Sequence, residues 1–256
     1  MAAAAGFAAV LWLGSAAAQG DPLATRGGWE IGLLGSTYEY EEPNFALLEG
    51  ERVGATGSMT FLGQEYIHSH IEGRYSYAEL DYTGSGTLRD VEDYILELRA
   101  LVGRDYRAGR FVWVPYAGLG YRYLYNDLRG VSSTGALGYR RKSRYYYIPV
   151  GVALRFPMNA GWVLAPRIEY DAFVHGKQRS YLSDTGLGFN AVTNDQRRGR
   201  GARGELALES PRWSVSLWSH YWKIEDSDIQ PIGMGFVGLE PANTTRETGV
   251  ELRYRF

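Results

Sequence analysis

The last eleven residues of the chain, RETGVELRYRF, alternate strictly between apolar and charged side chains from Val250 onward. The two sets fall on opposite parities: Val250, Leu252, Tyr254 and Phe256 against Glu251, Arg253 and Arg255. Successive side chains of a β-strand point to opposite faces. The segment is therefore predicted to be a strand with one apolar face and one charged face.

The same alternation recurs along the chain, in ten segments altogether. The other nine segments are GWEIGLLGSTYEY, RVGATGSMTFLG, YIHSHIEGRYSYAELDY, DYILELRALVGRDY, FVWVPYAGLGYRYLY, RYYYIPVGVALRF, GWVLAPRIEYDAFVHG, GARGELALES and RWSVSLWSHYW. We find no helical period of any length between them. The pattern predicts an all-β fold, a ten-stranded antiparallel β-barrel. Eight strands would result if the weak, glycine-rich second segment and a neighbour did not pair, and twelve if the two longest loops contained hidden strands.

The connections between these segments alternate between long and short. The first, EEPNFALLEGE, and the third, TGSGTLR, are longer than the intervening GQE and RAG, and the later connections continue the alternation. Transmembrane barrels have long extracellular loops and short periplasmic turns. The connection lengths therefore favour a barrel that crosses a membrane, with both termini in the periplasm.

The N-terminus, MAAAAGFAAVLWLGSAAAQG, has a short apolar core followed by small residues. Ala16 and Ala18 fit the pattern for cleavage before Gln19, although no basic residue follows Met1 as is usual in such signals. We expect residues 1–18 to be a signal peptide and residues 19–256 to form a single barrel domain. The absence of cysteine excludes disulfides, thiolate metal sites and cysteine nucleophiles.

Periodicity alone does not distinguish a membrane barrel from a water-soluble one, because the two differ only in which face lies inside. The export signal favours the membrane, and so does the density of Gly, Arg and Glu on the polar face. The apolar face also carries aromatic residues at strand ends, where interfacial girdles lie. These residues are Trp29, Trp113, Tyr123, Trp162, Tyr170 and Trp213. A soluble sandwich or lipocalin-like barrel is the alternative.

Together, the signal, the alternating strands, the loop lengths and a last strand that ends in Phe256 resemble the bacterial outer-membrane β-barrel superfamily. The resemblance covers essentially the whole mature chain. It implies location in the outer membrane of a Gram-negative bacterium, contact with outer-membrane lipid, and pairing of the last strand with the first. It also implies that Tyr254 and Phe256 belong to the C-terminal signal read by the barrel-assembly machinery.

The charged parity of the strands predicts the contents of the lumen. The expected charge network consists of Glu72, Arg74, Glu97, Arg99, Arg122, Arg155, Arg167, Glu169, Asp171, Arg203, Glu205, Glu251 and Arg253. Side chains from opposite walls of a narrow barrel can meet and fill its interior. Arg–carboxylate pairs would then make the lumen largely closed. We therefore expect a structural or surface-binding envelope protein, with a small-solute pore as an alternative.

A third possibility is an enzyme at the outer rim, either an omptin-like protease or a lipid-modifying enzyme. The omptin proteases are ten-stranded barrels with paired acidic and histidine residues at the mouth, and the positions nearest to that pattern are Asp81, Asp171 and His175. The match is poor because no Asp-x-Asp occurs at the first site.

In IHSHI, His68 and His70 share the inward face, and no third metal ligand is evident. We expect no metal and no cofactor.

The sequence GYRRKSRYYY gathers a basic cluster, Arg140, Arg141, Lys142 and Arg144, beside Tyr139, Tyr145 and Tyr146. Near the outer rim such a cluster could neutralise the phosphates of lipopolysaccharide through charge-assisted hydrogen bonds. Nucleic acid is not expected as a partner, because the net charge is −2 and the location is unsuitable. The sequence gives no indication of the oligomeric state.

Overall fold

The structure is a computed structural model that describes residues 21–256; the predicted signal peptide lies outside the described residues. The strands are β1 (Gly28–Glu42), β2 (Ala46–Leu62), β3 (Ile67–Gly84), β4 (Gly86–Arg104), β5 (Tyr106–Ala108), β6 (Phe111–Asp127), β7 (Arg140–Pro157), β8 (Val163–Ser180), β9 (Val192–Gln196), β10 (Gly199–Glu209), β11 (Trp213–Ile224), β12 (Gln230–Gly233), β13 (Phe236–Gly238) and β14 (Asn243–Arg255). Two 3-10 turns span Asn159–Gly161 and Leu182–Thr185. Within residues 21–256 no helix has the length and hydropathy needed to span a membrane.

Ten of these strands close an antiparallel barrel in the order β1, β2, β3, β4, β6, β7, β8, β10, β11 and β14. β14 pairs with β1 from Glu30–Arg255 to Glu41–Thr244, which confirms the predicted closure by the last strand. The glycine-rich second segment pairs along its length with both neighbours as β2, so the count is ten rather than eight. The short strands β5 and β9 extend the wall, and β12 and β13 form a separate hairpin in the last extracellular connection.

The prediction of long loops is wrong for the first and third connections. The turn between β1 and β2 consists of only residues 43–45, and a single residue, Ser85, separates β3 from β4. β3 has 18 residues, whereas about 9–11 tilted residues cross a bilayer. These hairpins therefore stand above the membrane as an extension of the barrel wall.

The polarity of the wall inverts along each of these long strands. In β1, Ile31 and Leu33 face outward and are exposed, as the apolar side chains of a lipid-facing band should be. Nearer the extracellular end, Tyr38 and Tyr40 face inward and are buried, while Glu39 faces outward. This upper part of the wall faces water. Its apolar side chains therefore point inward and its polar side chains point outward, as in a water-soluble barrel. Because of this reversal, the acidic segment EEPNFALLEGE has the polarity expected of a loop although most of it belongs to β1 and β2.

Aromatic residues border the apolar band at both edges. At the periplasmic edge, Trp213 packs on Tyr254 with ring centroids 4.8 Å apart, and Tyr254 packs on Phe256 at 5.2 Å. At the other edge, Tyr94 lies 4.8 Å from Tyr125 and 5.8 Å from a third tyrosine on β6. Aromatic girdles of this kind mark the two membrane interfaces of transmembrane barrels.

The interior of the barrel is filled in three layers. Near the periplasmic end, Leu23 packs against a small apolar cluster made of Val112, Val114, Ala153 and Val163. The middle layer consists of buried ion pairs. Above it lies a larger apolar and aromatic core whose members include Tyr38, Leu80, Ile95, Tyr147 and Trp222.

Candidate functional site

Arg203 on β10 lies at the centre of the lumen. Its Nε lies 2.7 Å from Asp171 Oδ2 and 3.2 Å from Glu169 Oε1, and its Nη1 lies 2.9 Å from Glu97 Oε2. The Tyr147 hydroxyl donates to Glu97 at 2.7 Å and accepts from Arg203 at 2.9 Å. One guanidinium on β10 thus binds three carboxylates from two other strands, Glu97 on β4 and Glu169 and Asp171 on β8, which ties opposite walls of the barrel together.

The network continues toward the periplasm through Arg99. Arg99 bonds to Glu169 and donates from Nη1 to Glu72 at 3.2 Å. Glu72 also lies 3.6 Å from Arg253 Nη2, and Arg253 Nε donates to Glu251 at 2.6 Å. Every member of the predicted lumen set faces the interior, including Arg122, Arg155, and the Arg167–Glu205 pair at 3.4 Å.

The predicted set omits several buried acids, and two of them, Asp93 and Glu247, lie in this network. Asp93 pairs with Arg52, and Glu247 accepts a hydrogen bond from Arg74 at 3.2 Å. Asp93 shares the parity of Glu97, so alternation alone could have assigned it. Glu247 lies upstream of Val250, where the strict alternation of the terminal segment begins.

An N-terminal segment closes the periplasmic end. Leu23 is 1% exposed and occupies the barrel interior. The backbone N–H and the hydroxyl of Thr25 both donate to Asp105 at 2.6 Å, and Arg155 donates to the Thr25 hydroxyl at 2.7 Å. Apolar burial and charge-assisted hydrogen bonds together hold this stopper in place.

A cavity of about 450 Å³ opens at the extracellular mouth above the aromatic core. At its floor, Arg141 Nη2 lies 2.6 Å from Glu42 Oε1, 2.9 Å from Glu240 Oε1 and 2.6 Å from the Tyr40 hydroxyl. All four side chains are buried. Arg141 therefore does not belong to an exposed basic cluster, and that part of the sequence prediction is wrong. Its parity points it inward, because it alternates with Lys142.

The other three residues of the predicted basic cluster lie in two different environments. Arg140 forms two bonds with Asp184, at 2.7 and 2.8 Å, which hold the pKa of the Asp184 carboxyl below its usual range and neutralise the arginine. Lys142 and Arg144 face outward on β7. They are joined on β8 by Arg179 and Lys177, two basic residues that the sequence reading did not include.

These four outward residues, Lys142, Arg144, Lys177 and Arg179, are called the basic rim below. Lys142 pairs in register with Arg179, and Arg144 pairs with Lys177. Like charges on directly opposite residues destabilise a sheet. Tyr181 lies within 5.0–5.2 Å of the charges of Lys142 and Arg179. The opposite side of the barrel is acidic, with Glu39 facing Glu49 and Glu49 facing Asp81 across the strands.

The three weak catalytic candidates are not brought together. Asp81 is exposed on the outer wall of β3, while Asp171 is buried in the lumen against Arg203. His175 faces outward, with its Nε2 3.9 Å from Asp195 Oδ1. No acid–base pair faces a partner across the mouth at these positions.

A bulge in β8 explains why His175 does not share the face of Asp171. Tyr146 of β7 pairs with His175 and Tyr147 pairs with Phe173, so Val174 is an extra residue in the strand. One extra residue reverses the parity of every side chain beyond it. Simple alternation would place Asp171 and His175, which are four positions apart, on one face, and the bulge places them on opposite faces.

His68 and His70 point inward, as their parity predicts. His70 Nδ1 lies 2.9 Å from the Thr60 hydroxyl, and His68 Nε2 lies 3.4 Å from Asp105. Within residues 21–256 no group of three His, Asp or Glu side chains is arranged to hold a metal ion.

No protein-family model matches the sequence, and no curated protein matches it either. Solved structures do match. The outer-membrane protease OmpT from Escherichia coli is 12% identical, with a TM-score of 0.54, over 90% of this chain and 96% of that one. The translocator domain of the autotransporter NalP from Neisseria meningitidis is 13% identical, with a TM-score of 0.46, over 91% and 90% of the two chains. At these identities the likeness concerns the fold alone.

The apolar exterior, the ion-paired interior and the likeness in fold to OmpT define the class of the protein. It is a ten-stranded transmembrane β-barrel. The membrane expectation is confirmed over the soluble alternative.

Proposed function

We propose that the protein is a non-conducting barrel that acts through its outer surface, as a structural or surface-binding envelope protein. The observation that carries the proposal is the filled lumen. Ion pairs occupy the middle, Leu23 occupies the periplasmic end, and an aromatic core occupies the extracellular end. A selective pore needs a continuous passage lined by groups that an ion can reach. Here the charged groups of the lumen are already bound to one another.

The basic rim supports lipopolysaccharide as the partner of this surface. Lys142 and Arg144 of the rim pair in register with Tyr125 and Tyr123 of the tyrosine girdle, the height at which lipid headgroups lie. Its four cations face one another across two strands, and among residues 21–256 only Lys177 has a carboxylate within 4 Å, with its Nζ 3.8 Å from Asp195 Oδ1, so an anionic phosphate between them would relieve their repulsion. Tyrosines flank them: Lys142 lies 5.6 Å from the Tyr125 ring centre and 5.2 Å from that of Tyr181. Phosphate binding here would anchor the barrel in the outer leaflet.

A rim-active protease is not the better proposal. Asp81, Asp171 and His175 lie on the outer wall, in the lumen and beyond a bulge respectively. The likeness to OmpT extends to the strand arrangement and brings no matching set of acid–base residues.

Recording the purified barrel in planar lipid bilayers tests the closed lumen. We expect no stepwise conductance at moderate voltage. Deleting residues 21–26 removes Leu23 and leaves the ion-pair layer in place, so this variant should stay silent as well. Regular single-channel steps from the intact protein would refute the proposal and favour the small-solute pore.

Substitution of the basic rim tests the lipid partner. Arg144→Gln with Lys177→Gln removes two cations near the headgroups, each worth about 1 kcal/mol toward an anionic surface, so affinity for lipopolysaccharide should fall about 30-fold. The matched control is Arg110→Gln with Arg212→Gln, which removes two exposed arginines from the periplasmic turns. Dephosphorylated lipopolysaccharide serves as the second control. Equal binding by the rim variant and the intact protein would contradict the assignment.

A further inference from the structure

The mouth cavity combines an apolar wall with a charged floor. It is lined above by Leu88 from the extracellular end of β4 and by side chains from three extracellular connections, Phe45, Leu128 and Leu239. The floor is the cluster of Arg141, Glu42 and Glu240. Pockets that bind small molecules have this composition, a mostly apolar lining with a few polar groups that fix orientation. Because the lumen below is filled, a ligand would enter only from outside the cell.

The floor carries more negative than positive charge. Glu42 and Glu240 both bind the same Nη2 atom of Arg141, so two carboxylates share one guanidinium. The remaining group in contact is the Tyr40 hydroxyl, which is neutral. Burying an unbalanced charge is costly, and a cation brought by a ligand would compensate it.

An anionic ligand fits this floor poorly. The Nη2 atom of Arg141 already has three acceptors within 3.0 Å, and both carboxylates would lie beside any incoming anion. A neutral ligand would fill the apolar part and leave the charge imbalance unchanged.

We propose that the mouth cavity is a binding site for small amphipathic amines, with the protonated amino group on Glu240 and Glu42 and the apolar body against the leucine-lined wall. The site is distinct from the basic rim on the outer wall, and it does not depend on lipopolysaccharide binding.

The acid–base properties of the floor agree with this geometry. Burial raises the pKa of the Glu240 carboxyl to about 7, against the opposing effect of Arg141. Without a ligand, Glu240 therefore retains a proton near neutral pH, which balances the charge. A bound ammonium group would take over the role of that proton. The ionisable groups around Glu240 are Glu42 and Tyr40 from β1, Arg141 and Tyr145 from β7, and Tyr139 just before β7.

The test uses three probes of similar size and different charge: phenethylamine, 2-phenylethanol and 3-phenylpropanoate. Binding to the full barrel in lipid nanodiscs is measured by calorimetry, with empty nanodiscs subtracted. We expect saturable binding of phenethylamine that is at least about tenfold tighter than that of the alcohol, and no binding of the carboxylate. Equal binding of all three probes, tighter binding of the carboxylate, or no saturable binding would overturn the proposal.

Glu240→Gln keeps the shape of the floor and removes the excess carboxylate. This variant should lose the preference for the amine over the alcohol. The matched control is Glu225→Gln, which removes an exposed carboxylate at the same mouth, at the end of β11. The control should keep the preference, and heat-modifiable gel mobility should be unchanged in both variants. Loss of the preference in the control as well would show that general surface charge, not the cavity, attracts the amine.

Discussion

Replacing Arg203 with methionine would test the ion-paired core directly. The guanidinium is 6% exposed and contacts Glu97, Glu169 and Asp171, as well as the Tyr147 hydroxyl. Methionine has a similar length and no charge. The substitution would therefore leave three carboxylates in a closed lumen with only Arg99 and more distant arginines to balance them.

Breaking a buried pair by removing one partner costs about 3–5 kcal/mol, because the other charge remains buried. Three carboxylates share Arg203, so we expect a loss in the upper part of that range, about 4–5 kcal/mol. Urea unfolding of the barrel in lipid vesicles, followed by tryptophan fluorescence, measures the change. Where Arg203→Met does not fold, the triple variant with Glu97→Gln and Asp171→Asn should fold, because neutral amides remove the uncompensated charge.

Arg200→Met is the matched control, since Arg200 is exposed on the same strand. It should change stability by no more than about 0.5 kcal/mol. If Arg203→Met lowers the free energy of unfolding by less than about 1 kcal/mol, the reasoning is refuted. Such a small change would mean that the lumen is open and filled with water, because a hydrated carboxylate costs little when it loses its partner.

Three further predictions concern the stopper, the aromatic core and the mouth. Leu23→Ala should weaken docking of the N-terminal segment by about 2–3 kcal/mol, seen as faster proteolysis before β1 while the barrel stays folded. At Gly120 an added Cβ would lie 2.1 Å from the Tyr147 ring, so Gly120→Ala should cost about 1–3 kcal/mol in urea unfolding, whereas Gly57→Ala, with open space, should cost little. Phenethylamine should bind about tenfold more tightly at pH about 8 than at pH about 6, because Glu240, with its pKa raised to about 7, has to lose its proton while the amine stays charged. Unchanged proteolysis, unchanged unfolding or a flat pH profile would count against the respective claim.

Strict alternation made most of the fold predictable. The parity of β14 placed Glu251 and Arg253 inside and Val250 outside, as found. The same reading placed the central charges of the lumen correctly, since the side-chain period of a strand is local information. What surrounds each face is not local, so Glu41 and Glu49 fall within a predicted connection although they continue the alternation above the membrane.

The sites were less predictable because they depend on contacts between distant residues. Arg141 meets Glu240, 99 positions away, only because the barrel closes and the last extracellular connection folds over its mouth. The bulge at Val174 has no clear sequence signal, yet it decides the face of His175. Leu23 precedes every strand, and nothing in its neighbourhood indicated that it would enter the barrel.

The central claim is that apolar side chains face lipid while the interior is filled. The chain has no cysteine, so single cysteines can be introduced cleanly along β10 at Leu206, Ala207 and Leu208. Leu206 and Leu208 are 49% and 37% exposed on the outer wall, and Ala207 is 4% exposed inside. Spin labels at 206 and 208 should collide freely with oxygen and rarely with a water-soluble nickel complex, and the thiol at 207 should resist a small water-soluble thiol reagent. Rapid labelling at 207, or shielding of 206 and 208 from oxygen, would contradict the account.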